Sequence, residues 1–163
     1  MLRLLNHVVL LNISPTFTRN MSLIEPKILK NELLALSGVS STNFNNWRLR
    51  GIIPFDELGC KRESLTRFRY SVLTAAYCKA MTYHTGQKRG RYVRELKNLF
   101  IDISKQTDFN EHVVIAISGW GQGKDCGVFD SLANAMILCP RQCSYVPVGQ
   151  IIKNYIGEIN HVK

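Results

Sequence analysis

Leu33-Leu34-Ala35-Leu36-Ser37-Gly38-Val39-Ser40-Ser41-Thr42-Asn43-Phe44-Asn45-Asn46-Trp47-Arg48-Leu49-Arg50-Gly51-Ile52-Ile53-Pro54 is the stretch that decides how this chain is read. Leu29, Leu33, Leu34 and Leu36 recur near helical spacing, so residues 27–37 are predicted to form a helix with one apolar face. Gly38 stops it. Ser40 or Ser41 is suited to cap a second helix over 41–50, because a hydroxyl there accepts a backbone N–H that lacks a partner within the helix. Phe44 and Trp47, three apart, share its inner face, joined by Val39 from the turn and Ile52 from beyond the helix. Gly51 ends this helix and Pro54 prevents its resumption.

With Phe44 and Trp47 turned inward, Thr42, Asn43, Asn45, Asn46, Arg48 and Arg50 are left on the outer faces, with Ser41 at the helix start. Asn can pair bidentately with adenine and Arg with guanine, and both can hold phosphate. Downstream, Lys61, Arg62, Arg67 and Arg69 crowd a loop at 55–68 that closes on Arg69-Tyr70-Ser71 before a new apolar helix. Two short helices about a glycine turn, followed by a basic loop, form the pattern of a winged helix-turn-helix. That arrangement puts side chains into a DNA groove.

The run Gly38-Val39-Ser40, ten residues, Gly51-Ile52-Ile53-Pro54, a basic loop and then Arg69-Tyr70-Ser71 resembles the DNA-binding domain of the MerR-type transcription regulators. The resemblance covers residues 29–83, a third of the chain. It implies that the helix after the glycine turn enters the major groove and that a two-stranded wing at 55–68 contacts the backbone. It also implies that Tyr70 and Ser71 pack the wing down and start the next helix. Where the family usually carries Arg-Tyr-Tyr in the recognition helix, this chain has Asn45, Asn46 and Trp47, so its contacts differ from those of a typical member. An excisionase-like or phage-regulator variant of the module therefore stands beside the effector-sensing regulator as the alternative.

Charge is distributed in keeping with this. Residues 21–94 hold 13 Lys and Arg against 5 Asp and Glu, residues 1–20 add two cations and no acid, and residues 95–163 carry a net charge of −1. The whole excess of +9 thus lies upstream of residue 95. Lys88, Arg89, Arg91 and Arg94 add to the basic loop, and phosphates are the natural partners of such a surface. A solvated basic face without a ligand is the plainer reading of the same charges.

At 163 residues, nearly half of them apolar, the chain can bury one ordinary core or two small ones. It has no apolar run of about 18 residues, so no membrane span is expected, and it has neither internal repeat nor low-complexity tract. Residues 1–20 read as an extension, apolar at Leu2, Leu4, Leu5, Val8 to Leu11 and Ile13 but broken by Asn6, His7 and Asn12. A strand or helix packed on the body, a presequence, and a translation start at Met21 are its three readings. The five cysteines, Cys60, Cys78, Cys126, Cys139 and Cys143, are expected as reduced thiols of a cytoplasmic, nucleoid-associated protein. Their spacing is unspecific, so buried structural thiols are favoured over metal ligands.

Beyond the loop, Val72, Leu73, Ala76, Tyr77, Ala80 and Met81 predict a third helix. Gly86 and Gly90 are expected to bracket a turn, and Tyr92, Val93, Leu96, Leu99, Phe100 and Ile103 mark an apolar stripe over 91–105. Only about two heptads of pattern exist there, so packing within the subunit competes with a dimer seam. Strands are expected at 112–118 and 145–148, a strand or short helix at 132–138, and a last helix at 150–159. Gly119-Trp120-Gly121-Gln122-Gly123-Lys124 imitates a phosphate loop but misses the G-x-x-x-x-G-K spacing, and Asp125 stands where Ser or Thr is required. A hairpin loop is the expectation.

The fold class expected is α+β: an N-terminal winged helix-turn-helix at 21–88 and, at 89–163, a helix with a small α+β region for dimerisation or sensing. The function expected is a sequence-specific DNA-binding transcriptional regulator, a homodimer on double-stranded DNA. The alternative is an excisionase-like architectural protein that bends DNA. Neither enzyme activity nor a catalytic residue, metal or cofactor is expected, since no paired carboxylates, Ser-His-Asp set or metal-binding pattern occurs in context. Contact with RNA polymerase or a recombinase is left open.

Overall fold

The computed structural model describes residues 22–84, 89–106, 109–118, 127–139 and 143–161. Over these residues the architecture is mixed α+β, with two small antiparallel sheets among the helices. Helix α1 (Lys30–Ser37) starts three residues later than its apolar spacing predicts. Ile28 is the reason: its N–H and C=O each bond to Tyr70 at 2.8 Å in an isolated antiparallel bridge. Backbone groups already paired across the chain are not free to open a helix. Leu29, still extended, precedes the first turn, and its N–H donates to the Glu32 carboxylate at 2.7 Å.

Gly38 closes α1 in the left-handed region. Of the two serines that could cap the next helix, Ser40 does so: its Oγ accepts from the Asn43 N–H at 3.2 Å, and α2 runs Ser41–Leu49. Phe44 and Trp47 are buried, as their spacing predicts. The basic loop folds into a hairpin of two-residue strands, β1 (Lys61–Arg62) and β2 (Phe68–Arg69), pairing Lys61 with Arg69 and Arg62 with Phe68. It ends one residue beyond the predicted 55–68 and starts later, because the preceding residues turn: Leu58 N–H bonds Pro54 C=O and Cys60 N–H bonds Phe55 C=O. Gly59 sits in this turn at φ 76°, and a Cβ there would lie 1.8 Å from the Ile24 carbonyl oxygen. Only glycine permits that approach.

Ser71 both caps α3 (Val72–Ala80) and ties it to the turn. Its Oγ accepts from the Thr74 N–H at 3.0 Å and donates to the Leu58 carbonyl at 2.5 Å. Every residue of α3 except Lys79 is buried. After a 3-10 turn at Met81–Tyr83, α4 (Arg89–Ser104) begins with Gly90 inside its first turn. This corrects the expectation that Gly90 bounds a loop. A propensity cost of at most about 1 kcal/mol is outweighed by the apolar stripe behind it. Tyr92, Leu96, Leu99, Phe100 and Ile103 of that stripe are buried within the subunit. Gly86 lies outside the described residues.

The second sheet has β3 (Val114–Ser118) between β4 (Gly127–Phe129) and β5 (Cys143–Val146), antiparallel to both. Alternation along β3 divides its side chains between two faces. Ile115 and Ile117 enter the main core, whereas Val114 and Ala116 meet Ala135 and Cys139 of the layer formed by α5 (Leu132–Leu138). The ambiguous 132–138 segment is thus a helix that covers the sheet. Its outward side chains Leu132, Met136, Ile137 and Leu138 are exposed. Helix α6 (Val148–His161) packs Ile151, Ile152 and Tyr155 inward. The expected loop at 119–124 and Cys126 lie outside the described residues. Because α3 packs against α1, α4 and α6, one buried cluster runs from Leu23 to Tyr155.

Cys60 and Cys78 are free thiols, the first with Sγ 3.0 Å from Thr74 Oγ1. Burial pushes the Cys60 thiol up to about 11 and the Tyr70 phenol up to about 12. It also raises Cys78, Tyr77, Tyr92 and Tyr155. Each group stays protonated in the fold at a pH where the unfolded chain ionises, so above about pH 9 the folded state holds more protons. Stability should therefore be level between about pH 7 and pH 8 and fall steadily above about pH 9. Urea unfolding across a pH series checks this, and a stability that rises with alkali contradicts it.

Candidate nucleic-acid interface

Ser41, Thr42, Asn43 and Asn46 of α2 are exposed, as their places on the helix predict, and so is Arg50, which follows the helix as its C-cap instead of lying within it. Two neighbours are not. Asn45 is half-buried and its Oδ1 accepts from Lys30 Nζ at 2.9 Å, which fastens α2 to α1. Arg48 is half-buried with its guanidinium carbon 4.8 Å from the centroid of the Phe68 ring in the hairpin. Arg62 of β1 lies over the same ring at 5.6 Å. Both guanidiniums are within cation–π range of the one ring.

An aromatic chain continues inward from this ring. Phe68 stacks with Tyr70 at 6.5 Å, Tyr70 meets Phe44 of α2 edge-on at 5.3 Å, and Phe55 stands edge-on to Phe68 and Tyr70 at 5.7 and 6.2 Å. Offset and edge-on pairs contribute roughly 0.5–1.5 kcal/mol each beyond area burial. The angle between α2 and the hairpin is therefore set by packed rings. The exit of α2 is held as well: Tyr77 of α3 donates to the Ile52 carbonyl at 2.7 Å, and Lys97 of α4 donates to the Gly51 carbonyl at 3.3 Å.

Within the hairpin, Lys61, Arg62 and Arg67 are exposed and Arg69 is half-buried. The arginines, expected from the sequence to meet phosphates, have partners within the hairpin. Glu63 accepts from Arg69 Nε at 3.0 Å and pairs with Arg67 Nε at 3.3 Å, so one carboxylate holds both. Arg62 Nε and Nη2 donate to the carbonyls of Ser64 and Leu65 at 3.0 and 3.3 Å. Exposed ion pairs contribute at most about 1 kcal/mol, so an incoming phosphate can displace the carboxylate. Sequence reasoning passed over Glu63, Phe68, Lys30 and Lys97. For Glu63 a signal existed: it is the one acid between Glu57 and Glu95, inside the densest run of cations.

Among the described residues no group of three or more His, Cys, Asp and Glu is placed to hold a metal ion. Among the same residues no helix is long and apolar enough to cross a membrane. Comparison of the chain with protein-family models, with curated proteins and with solved structures finds no match in any of the three.

Proposed function

We propose that this chain is a sequence-specific DNA-binding regulator of the winged helix-turn-helix type, akin to the MerR-like module its sequence resembles. Helix α2 lies in the major groove, and the β1–β2 hairpin grips the adjoining backbone as a wing. The observation that carries this reading is the Phe44, Phe55, Phe68, Tyr70 and Arg48 cluster. It joins the exposed polar face of α2 and the cationic hairpin into one surface, in the part of the chain that holds all of the positive excess. A groove reader needs that rigidity, because base contacts discriminate only when phosphate contacts fix the register. A two-fold site requires two copies. The stripe of α4 is buried in its own subunit, so the exposed apolar side chains of α5 offer the surface for pairing.

Asn43 and Asn46 are exposed, three apart on α2, and short enough to meet base edges. Changing either to Ala should reduce preference for the cognate site by about 1 to 3 kcal/mol and leave non-specific binding nearly intact. Changing Arg67 or Arg69 to Ala should weaken cognate and random DNA alike and lower the salt slope by about one. Competition binding against a random-sequence duplex separates the two classes. Asn variants that lose both kinds of binding equally, or Arg variants that lose only preference, would refute the proposed placement of α2.

A further inference from the structure

The wing tip carries an apolar side chain where a phosphate-gripping hairpin would be expected to carry a polar one. Leu65 is 83% exposed, the highest among the large apolar residues described. A lone exposed leucine on a floppy loop would mean little. This tip is fixed. Glu63 N–H and Ser64 N–H both donate to the Arg67 carbonyl, at 2.8 and 3.2 Å, and Arg67 N–H donates to Ser64 Oγ at 3.1 Å. The Arg62 guanidinium takes up the carbonyls of Ser64 and Leu65 themselves. With these groups satisfied inside the turn, the tip presents Leu65 and Thr66 outward, and the isobutyl group of Leu65 is its apolar point. The base of the hairpin is held in turn by Phe68, packed on Phe55 and Tyr70 under Arg48. Lys61, Arg62 and Arg67 are exposed on the same hairpin, the last of them paired with Glu63.

An apolar point on a hairpin that also carries exposed cations matches one feature of duplex DNA, a base step at the floor of the minor groove between two rows of phosphates. Apolar side chains inserted there partly unstack the step and kink the duplex toward the major groove. Pyrimidine–purine steps yield most easily. We propose that Leu65 is such a wedge: when α2 occupies the major groove, the wing enters the neighbouring minor groove and Leu65 opens one base step. This rests on the DNA-binding reading above and adds the residue that deforms the site.

The test uses the full chain and a duplex of about 30 base pairs enriched by the protein from a random pool, end-labelled for energy transfer and carrying 2-aminopurine in successive positions. Wild type should kink the duplex by roughly 20–90° and raise 2-aminopurine fluorescence at a single step. Leu65→Ala and Leu65→Ser, which alter an exposed side chain and should unfold in urea as wild type does, should bind more weakly and lose both signals. Leu65→Phe should restore them. A Leu65→Ala protein that kinks and unstacks like wild type overturns the wedge, and so does a wild type that binds the duplex without either signal; both leave the DNA-binding reading standing. If Leu65 serves a protein partner instead, these variants will bind and bend DNA unchanged, which also refutes it. Failure of wild type to bind any duplex at low salt refutes wedge and DNA binding together.

Discussion

Replacing Trp47 with alanine should lower the stability of the fold by roughly 3–5 kcal/mol, a large part of the 5–15 kcal/mol that holds an ordinary domain together. Trp47 is 7% exposed and belongs to the same buried cluster as Phe44, Leu33 and Tyr70. Removing the indole leaves a cavity under α2 that its neighbours cannot close, since Phe44 is already held against Tyr70. The urea midpoint of Trp47→Ala, followed by circular dichroism, should drop sharply, and Trp47→Phe should recover part of the loss. A Trp47→Ala protein that unfolds where wild type does but no longer binds DNA would place the indole on the ligand instead of in the core.

The other large effect concerns salt. Arg48 of α2, Arg50 at its C-cap, and Lys61, Arg62, Arg67 and Arg69 of the hairpin are the cations of this surface. If about six of these cations displace counterions from phosphates, affinity for duplex DNA should fall on the order of 10³-fold between about 50 and 200 mM salt. Anisotropy titrations on a labelled random duplex give the slope. An affinity indifferent to salt, or no binding at the low end, would count against the interface.

Local signals in the sequence carried furthest where a single residue decides geometry. Ser40, Gly38 and Ser71 act within four residues of their own positions, as caps and stops do, and the inward pair Phe44 and Trp47 follows from helical phase alone. The start of α1 was not legible, because it is set by Tyr70, distant in sequence, pairing with Ile28. The roles of Arg67 and Arg69 were hidden for a related reason. Which cation a carboxylate takes depends on hairpin register, and only the pairing of Lys61 with Arg69 brings Glu63 between the two. Asn45 and Asn46 look alike in sequence, yet the roughly 100° of helical phase between neighbours gives the first to Lys30 and the second to solvent. The apolar run 132–138 suited strand and helix equally. What selects the helix is the outer face of β3, where Val114 and Ala116 need cover.

Helix α3 has neighbours from both ends of the chain: α1 and the turn before the hairpin on one hand, α4 and α6 on the other. Ala75, Ala76, Tyr77, Cys78 and Ala80 are wholly shielded, and Tyr77 reaches past its own helix to the segment that follows α2. A cut after residue 84 would expose the side of α3 that meets α4 and α6 and would strip Lys97 from the Gly51 carbonyl. The surface formed by α2 and the hairpin is therefore not a cassette that can be exchanged between proteins.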